Sequence, residues 1–238
     1  MTTFNQLFSQ QYDELFPAGQ EEMAFVKSLL GNAPYILDIG CGTGNKTELL
    51  ARERKAMAFD LSPEMIDIAN RRHAGPNLTY MTMNMTDLDK TFSPGIFDAA
   101  VCLGNTMAFL SGPGEFAAFL RHVRAVLGRK GVFVGQALNY DRIVKHGVSV
   151  LPPLETERVA FRRGYERRDD GLHFVIDMRD KKTGQEYRED SVMNPLTRSL
   201  LDTQLNAAGF GLTDFFGGYG GEPFTEESYH LIFKTVPL

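Results

Sequence analysis

The apolar run Ile36-Leu37-Asp38-Ile39 holds one acid and breaks into Gly40-Cys41-Gly42-Thr43-Gly44, with glycine at three alternating positions. A strand that stops on such a turn and opens into a helix brings backbone amides to a ligand. A Cβ at Gly40 or Gly42 would obstruct that approach. A second acid, Asp60, ends the next apolar run 22 residues after Asp38.

Strand and helix signals alternate around this turn. Phe4, Leu7, Phe8, Leu15 and Phe16 recur at helical spacing until Pro17 and Gly19, and a second helix is expected over about 21–30. Strands are expected at 35–39, 56–59, 78–81, 96–103 and 131–138, with helices at 45–52, from Ser62-Pro63-Glu64, and at 115–127. Serine before proline is a helix N-cap followed by a first-turn proline. After the fifth strand the pattern changes. Phe174, Ile176 and Met178 alternate with their neighbours between the turn signals Asp170-Gly171 and Thr183-Gly184, so residues 153–193 read as a three-stranded antiparallel meander. A helix near 200–208, stopped by Gly209, and a strand pair at 211–216 and 229–235 complete the chain. The expected fold class is α/β: a doubly wound, mostly parallel seven-stranded sheet with an antiparallel three-stranded lid inserted after strand five. Residues 1–152 and 194–238 would form the core with its N-terminal helices, and 153–193 the lid.

With 238 residues the chain has a core large enough to fold without disulfides or metal, and none is expected. A net charge of -5 argues against nucleic acid or an anionic membrane as general partner. Cys41 and Cys102 are the only cysteines and fit free thiols in a reducing compartment. The first eleven residues show no secretory signal pattern, and no uncharged apolar run is long enough to span a bilayer. A cytoplasmic protein acting on a small molecule is expected.

The glycine spacing is GxGxG, whereas dinucleotide-binding enzymes use GxGxxG, and Asp38 would repel a diphosphate while suiting a cationic amino-acid end. Together with Asp60, the motif resembles the first two motifs of class I S-adenosylmethionine-dependent methyltransferases. The resemblance implies a Rossmann-like sheet and S-adenosylmethionine as cofactor. Asp38, Gly40, Cys41, Gly42 and Gly44 would face its methionine part. Asp60, with Leu61 beside it, would accept from both ribose hydroxyls. Met65 would pack on adenine, or serve as a core methionine. In the third element Asn84, followed by Met85, stands where the family usually has an acid, and its side-chain oxygen is an uncharged acceptor. Asp87 reads as a surface loop acid. Tyr12, in Tyr12-Asp13-Glu14-Leu15-Phe16, resembles the segment that closes over the cofactor in many relatives; a tyrosine on an amphipathic helix is the other reading.

The stretch Cys102-Leu103-Gly104-Asn105-Thr106 and the run Asn139-Tyr140-Asp141-Arg142 resemble the glycine N-methyltransferase branch. That resemblance puts Leu103 at the cofactor and makes Asn105 and Tyr140, both read as loop residues, holders of an acceptor. His146 is a candidate base or a solvated loop histidine, and His230 reads as structural. The branch has an arginine before the Asn-Tyr-Asp run that pairs with the carboxylate of glycine. Here the residue is Leu138, which cannot. Arg158, Arg162, Arg163, Arg167 and Arg168 are interleaved with Glu155, Glu157, Glu166, Asp169 and Asp170, so a salt-bridged solvated edge is expected in preference to an acidic-substrate site. The expected function is methyl transfer to a small-molecule acceptor, with nitrogen slightly favoured over oxygen. Two alternatives stand: a nicotinamide-dependent oxidoreductase, and a non-catalytic cofactor-binding module with the same fold.

Overall fold

The computed structural model describes residues 2–238. Helices α1 (Phe4–Leu15) and α2 (Gln20–Leu30) come first. There follow β1 (Tyr35–Ile39), α3 (Asn45–Ala51), β2 (Lys55–Asp60), α4 (Pro63–Arg72), β3 (Leu78–Thr82), a short α5 (Leu88–Thr91), β4 (Phe97–Cys102), α6 (Gly112–Val126), β5 (Leu127–Leu138) and α7 (Tyr140–His146). Four further strands are β6 (Leu154–Glu155), β7 (Val159–Arg168), β8 (Gly171–Asp180) and β9 (Glu186–Met193). The chain ends with α8 (Arg198–Ala207), β10 (Phe210–Phe216) and β11 (His230–Pro237).

The main sheet has the order β10-β11-β5-β4-β1-β2-β3. β1 to β5 pair in parallel, and β11 runs antiparallel to both β5 and β10. The order reverses at β1, which has β2 on one side and β4 on the other. The connections leaving β1 and β4 therefore diverge to opposite faces and open a crevice at the strand C-terminal edge. Ile36, Leu37 and Ile39 of β1 and Ala99, Ala100 and Val101 of β4 are fully buried, since helices cover both faces. That double burial is why these strands are continuous apolar runs without alternation. On one face α2 and α3 contribute Met23, Val26, Leu30 and Leu50 to the packing. On the other, Phe116, Phe119 and Leu120 of α6 pack with Leu201 and Leu205 of α8.

The second sheet has the order β6-β7-β8-β9, four antiparallel strands where three were expected. The additional strand is two residues long, too short for alternation to show. Its inner face carries Val159, Phe161 and Met178 onto Leu7 and Leu15 of α1. Tyr165 and Met193 join the main core. α1 thus packs on the second sheet, and a capping box of Thr3 and Gln6 fixes its start.

Two further boundaries differ from expectation. α6 begins at Gly112, because Pro113 suits the first turn even within a Gly-Pro-Gly that reads as a breaker. The segment after β5, read as a loop, is helix α7; Asn139 caps it by accepting from the Arg142 N–H, and Gly147 ends it in the left-handed region. Seven residues are too few to show a periodic stripe. The glycine cluster Gly217–Gly221 is tied down: Tyr219 donates to Glu22 Oε1 at 3.0 Å, and the Gly217 N–H donates to the Glu222 carbonyl at 2.8 Å. Among the described residues, no helix is long and apolar enough to cross a membrane.

Candidate functional site

Gly40, Gly42 and Gly44 all have positive φ, between 57° and 79°. A Cβ at Gly40 would lie 2.4 Å from Thr106 Cγ2, and one at Gly44 would lie 2.3 Å from the Tyr80 hydroxyl. At these two positions the protein's own side chains exclude a Cβ, which corrects the expectation for Gly40 that ligand approach sets the requirement. Gly42 lies under the ring of Tyr12. α1 is drawn onto this turn by two bonds: Thr43 donates to Asp13, and the Asn45 amide donates to the Phe16 carbonyl at 3.0 Å.

The two motif acids are held differently. Asp60, at the end of β2, accepts from the Gly42 N–H on Oδ2 and from the Ser62 N–H on Oδ1, both at 2.9 Å. Burial raises its pKa, opposed by these backbone donors. Each oxygen keeps a lone pair for a further donor. Asp38 is only 3% exposed and accepts from the Thr47 hydroxyl at 2.6 Å. Burial pushes its pKa up to about 6, against the lowering effects of Thr47 and Lys46.

A cavity of about 610 Å³ lies between the strand C-terminal edge, α1 and the second sheet. Tyr12, Gly40, Gly42, Asp60, Ser62 and Met65 are in its wall. So are Phe109, Leu138, Phe161, Arg163, Phe174 and Tyr229, with Gly104, Asn105, Gln136 and His230. Of the residues expected at the site, the structure thus brings together Tyr12, Gly40, Gly42, Asp60, Met65 and Asn105.

The others lie off the wall, for identifiable reasons. Asp38, Cys41 and Gly44 are not among the lining residues; burial raises the Cys41 thiol's pKa. Leu103 is buried, with its carbonyl accepting from the Thr106 hydroxyl. Leu61 is 67% exposed beside Asp60. Asn84 is exposed, and its side-chain oxygen caps its own turn by accepting from the Thr86 N–H at 3.0 Å, with Met85 in that same turn. Asp87 pairs with Lys90 on the surface, as expected. Tyr140 is a correction: it opens α7, is fully buried, and does not face the cavity. Its hydroxyl receives a bond from Asn105 Nδ2 at 3.1 Å and lies 3.4 Å from that of Tyr165, and burial pushes its pKa up to about 12. His146 is a second correction: it sits at the exposed end of α7 with Nε2 3.0 Å from Glu227 Oε1, away from the cavity.

Among the wall residues that the sequence reading did not place at the site are three nitrogen-bearing ones, Gln136, His230 and Arg163. The Gly104 N–H donates to Gln136 Oε1 at 2.6 Å, which turns the amide nitrogen toward His230 Nδ1 at 3.2 Å. His230 therefore accepts on Nδ1, and burial, the largest influence, lowers its pKa. The neutral ring carries its proton on Nε2 and offers a donor in place of a lone pair. The available signal was Gln136 itself, a polar residue inside the buried run of β5, which needs a partner. Asn105, at φ 70°, also accepts from the Leu138 N–H at 3.1 Å and so ties the ends of β4 and β5 together. The third is Arg163. The arginine-rich edge is paired as expected at Arg158 with Asp180 and at Arg168 with Glu166 and Asp190, but Arg163 enters the cavity wall.

Comparison with known proteins agrees with this architecture. Residues 36–131 match the family described as a methyltransferase domain. Glycine N-methyltransferase of Homo sapiens is 32% identical over 133 residues, covering 50% of this chain and 44% of that enzyme, so the chain matches less than half of that relative's length. Glycine/sarcosine N-methyltransferase of Halorhodospira halochloris is 27% identical over 89% of this chain and 80% of its own. A crystal structure of an S-adenosylmethionine-dependent methyltransferase from Clostridium acetobutylicum superposes with a TM-score of 0.81 at 18% identity, covering 99% of both chains, and shows the same fold. The chain is thus similar to class I S-adenosylmethionine-dependent methyltransferases, with the methyltransferase-domain match spanning residues 36–131. The domain match and both named relatives speak against the nicotinamide alternative.

Proposed function

We propose that this protein transfers a methyl group from S-adenosylmethionine to a nitrogen of a small-molecule acceptor. The observation that carries the reading is Asp60, a carboxylate fixed by two backbone donors in the wall of a cavity that is also lined by aromatic rings. The residues present fit the cofactor. Asp60 would take the ribose hydroxyls. Met65 and the exposed Leu61 would cover adenine, and the glycine turn with Tyr12 would enclose the methionine end. Asp38, whose ionised form is disfavoured by burial, gains from a cation such as the cofactor's ammonium group.

When bound, S-adenosylmethionine supplies an electrophilic methyl on a sulfonium. The protein's task is to orient the acceptor and exclude water, and orientation alone is worth roughly 7–11 kcal/mol in favourable cases. In this reading residues 153–193 form the lid that closes over the acceptor. Nitrogen is favoured because a neutral amine needs no base and, among the described lining residues, the one unpaired carboxylate, Glu189, is exposed to solvent. Other titratable groups in the wall include the Tyr229 hydroxyl, the Arg163 guanidinium and a His230 that presents N–H, with Asp60 assigned to the cofactor. A hydroxyl acceptor, by contrast, needs a base. The names of the human and Halorhodospira relatives, both N-methyltransferases, support the same choice.

The test is release of S-adenosylhomocysteine from a panel of primary and secondary amines and matched phenols. Turnover of at least one amine, about tenfold or more above its phenol counterpart, is expected. Turnover confined to phenols would overturn the nitrogen assignment, and no product despite tight cofactor binding would favour the non-catalytic reading.

A further inference from the structure

Arg163 stands where the alternation of β7 places core residues. Val159, Phe161 and Tyr165, on the same face of the strand, are all buried. The guanidinium lies 5.0 Å from the Phe16 ring centroid and 5.8 Å from that of Phe161. Its Nε is buried without a hydrogen-bond partner, and Nη2 reaches only the Pro152 carbonyl at 3.5 Å. Among the described residues no carboxylate lies within 4.0 Å of it, whereas Arg158, Arg168 and Arg188 of the same sheet are each paired. A partly buried cation without a counter-charge is unusual, because desolvation is normally offset by pairing. Burial indeed lowers the pKa of Arg163, which an anionic partner would reverse.

The strand that carries Arg163 is held in place. The Leu151 N–H donates to the Arg163 carbonyl at 3.0 Å, and the Tyr165 N–H donates to the Ser149 carbonyl at 2.8 Å. Between them Gly164 leaves no room for a side chain, since a Cβ there would lie 2.3 Å from the Ser149 carbonyl oxygen. The guanidinium thus projects from a clamped strand into the cavity wall that also contains Leu138, Phe174 and Tyr229.

We propose that Arg163 recognises the acceptor by pairing with a carboxylate on it, supplying from the lid sheet the guanidinium that Leu138 denies to the end of β5. A guanidinium with no carboxylate partner carries several N–H donors that can hold one carboxylate with charge-assisted bonds. The flanking Phe16, Phe161 and Phe174 rings suit an acceptor whose carboxylate is joined to an apolar body. The inference rests on the acceptor site assigned under the methyl-transfer reading.

The experiment is calorimetric titration of phenylacetate and phenylacetamide into the protein, with and without saturating S-adenosylhomocysteine. Wild type, Arg163→Gln and Arg163→Lys are compared, and S-adenosylhomocysteine affinity is measured for each. Wild type should bind phenylacetate at least tenfold more tightly than the amide, the range of one charge-assisted pair. Arg163→Gln should lose that preference and bind S-adenosylhomocysteine within twofold of wild type. Arg163→Lys, which keeps charge and stem, should retain a reduced preference and decides the matter if Arg163→Gln does not fold. Equal binding of acid and amide, no binding of phenylacetate, or a preference that survives Arg163→Gln would overturn the proposal. A parallel loss of S-adenosylhomocysteine affinity in Arg163→Gln would overturn it too, by assigning Arg163 to the cofactor's own carboxylate. If wild type fails to bind S-adenosylhomocysteine, the methyl-transfer reading fails, and the titrations without it still judge Arg163.

Discussion

Asp38 and Asp60 end up in different environments although each ends or nearly ends a strand. Asp60 has two backbone donors and a face on the cavity; Asp38 has one hydroxyl and is sealed in. An ordinary aspartate titrates near 3.8, and burial moves Asp38 up to about 6. Between those values the folded protein holds a proton that the unfolded chain has released, so stability falls as pH rises through that window. Above it, ionised Asp38 costs on the order of 3 kcal/mol. Asp38→Asn should therefore raise the urea midpoint at pH 7.5, by about 1–3 kcal/mol in stability, and flatten the pH 4–6 dependence. Asp60 is shifted in the same direction, so some slope should remain. S-adenosylhomocysteine affinity should fall in the same variant if Asp38 serves the ammonium end. A midpoint unchanged at pH 7.5 would show that the carboxylate is not strained there.

At the scale of the element, the glycine turn is a packing device as much as a ligand device. Gly44 and Gly104 have similar φ, 79° and 72°, but a Cβ on Gly44 meets Tyr80 while one on Gly104 meets nothing within 4 Å. Alanine at Gly104 should cost only the left-handed backbone penalty, about 1–2 kcal/mol. Alanine at Gly44 should cost clearly more, because the ring of Tyr80 must also move. Equal losses in urea denaturation would remove steric exclusion by Tyr80 from the account. The glycine turn, β1 and β4 were legible in the sequence because burial on both faces writes a strand as an unbroken apolar run. β6 and α7 were not, being two and seven residues long. The alternation of β7 was readable in Val159, Phe161 and Tyr165, and it puts Arg163 on the inner face; interleaved acids masked that signal because they do pair with its neighbours.

Across the whole molecule, the cavity lies where α1 bridges the second sheet and the glycine turn of the main sheet, two sheets that share no strand. The part of its wall proposed for the cofactor was largely legible, since Gly40 and Gly42 share one short motif and Asp60 ends the next apolar run. The part proposed for the acceptor was not. Asn105, Gln136, Arg163 and His230 come from four separate elements, and only the fold brings them into one wall. Tyr140 and His146 were misplaced for the same reason: an unseen helix turns one inward to Asn105 and the other out to Glu227. Ligand that bridges α1, the main sheet and the second sheet should stabilise the whole by mass action, about 2.7 kcal/mol at a hundredfold excess over Kd. The central claim is that Asp60 anchors S-adenosylmethionine at the open edge of this sheet. Calorimetric titration of S-adenosylhomocysteine into wild type and Asp60→Asn tests it most directly. Micromolar or tighter binding at one site per chain, weakened at least tenfold in a folded Asp60→Asn, is the predicted result. Wild-type affinity in Asp60→Asn, or no binding by the wild type at millimolar ligand, would contradict it.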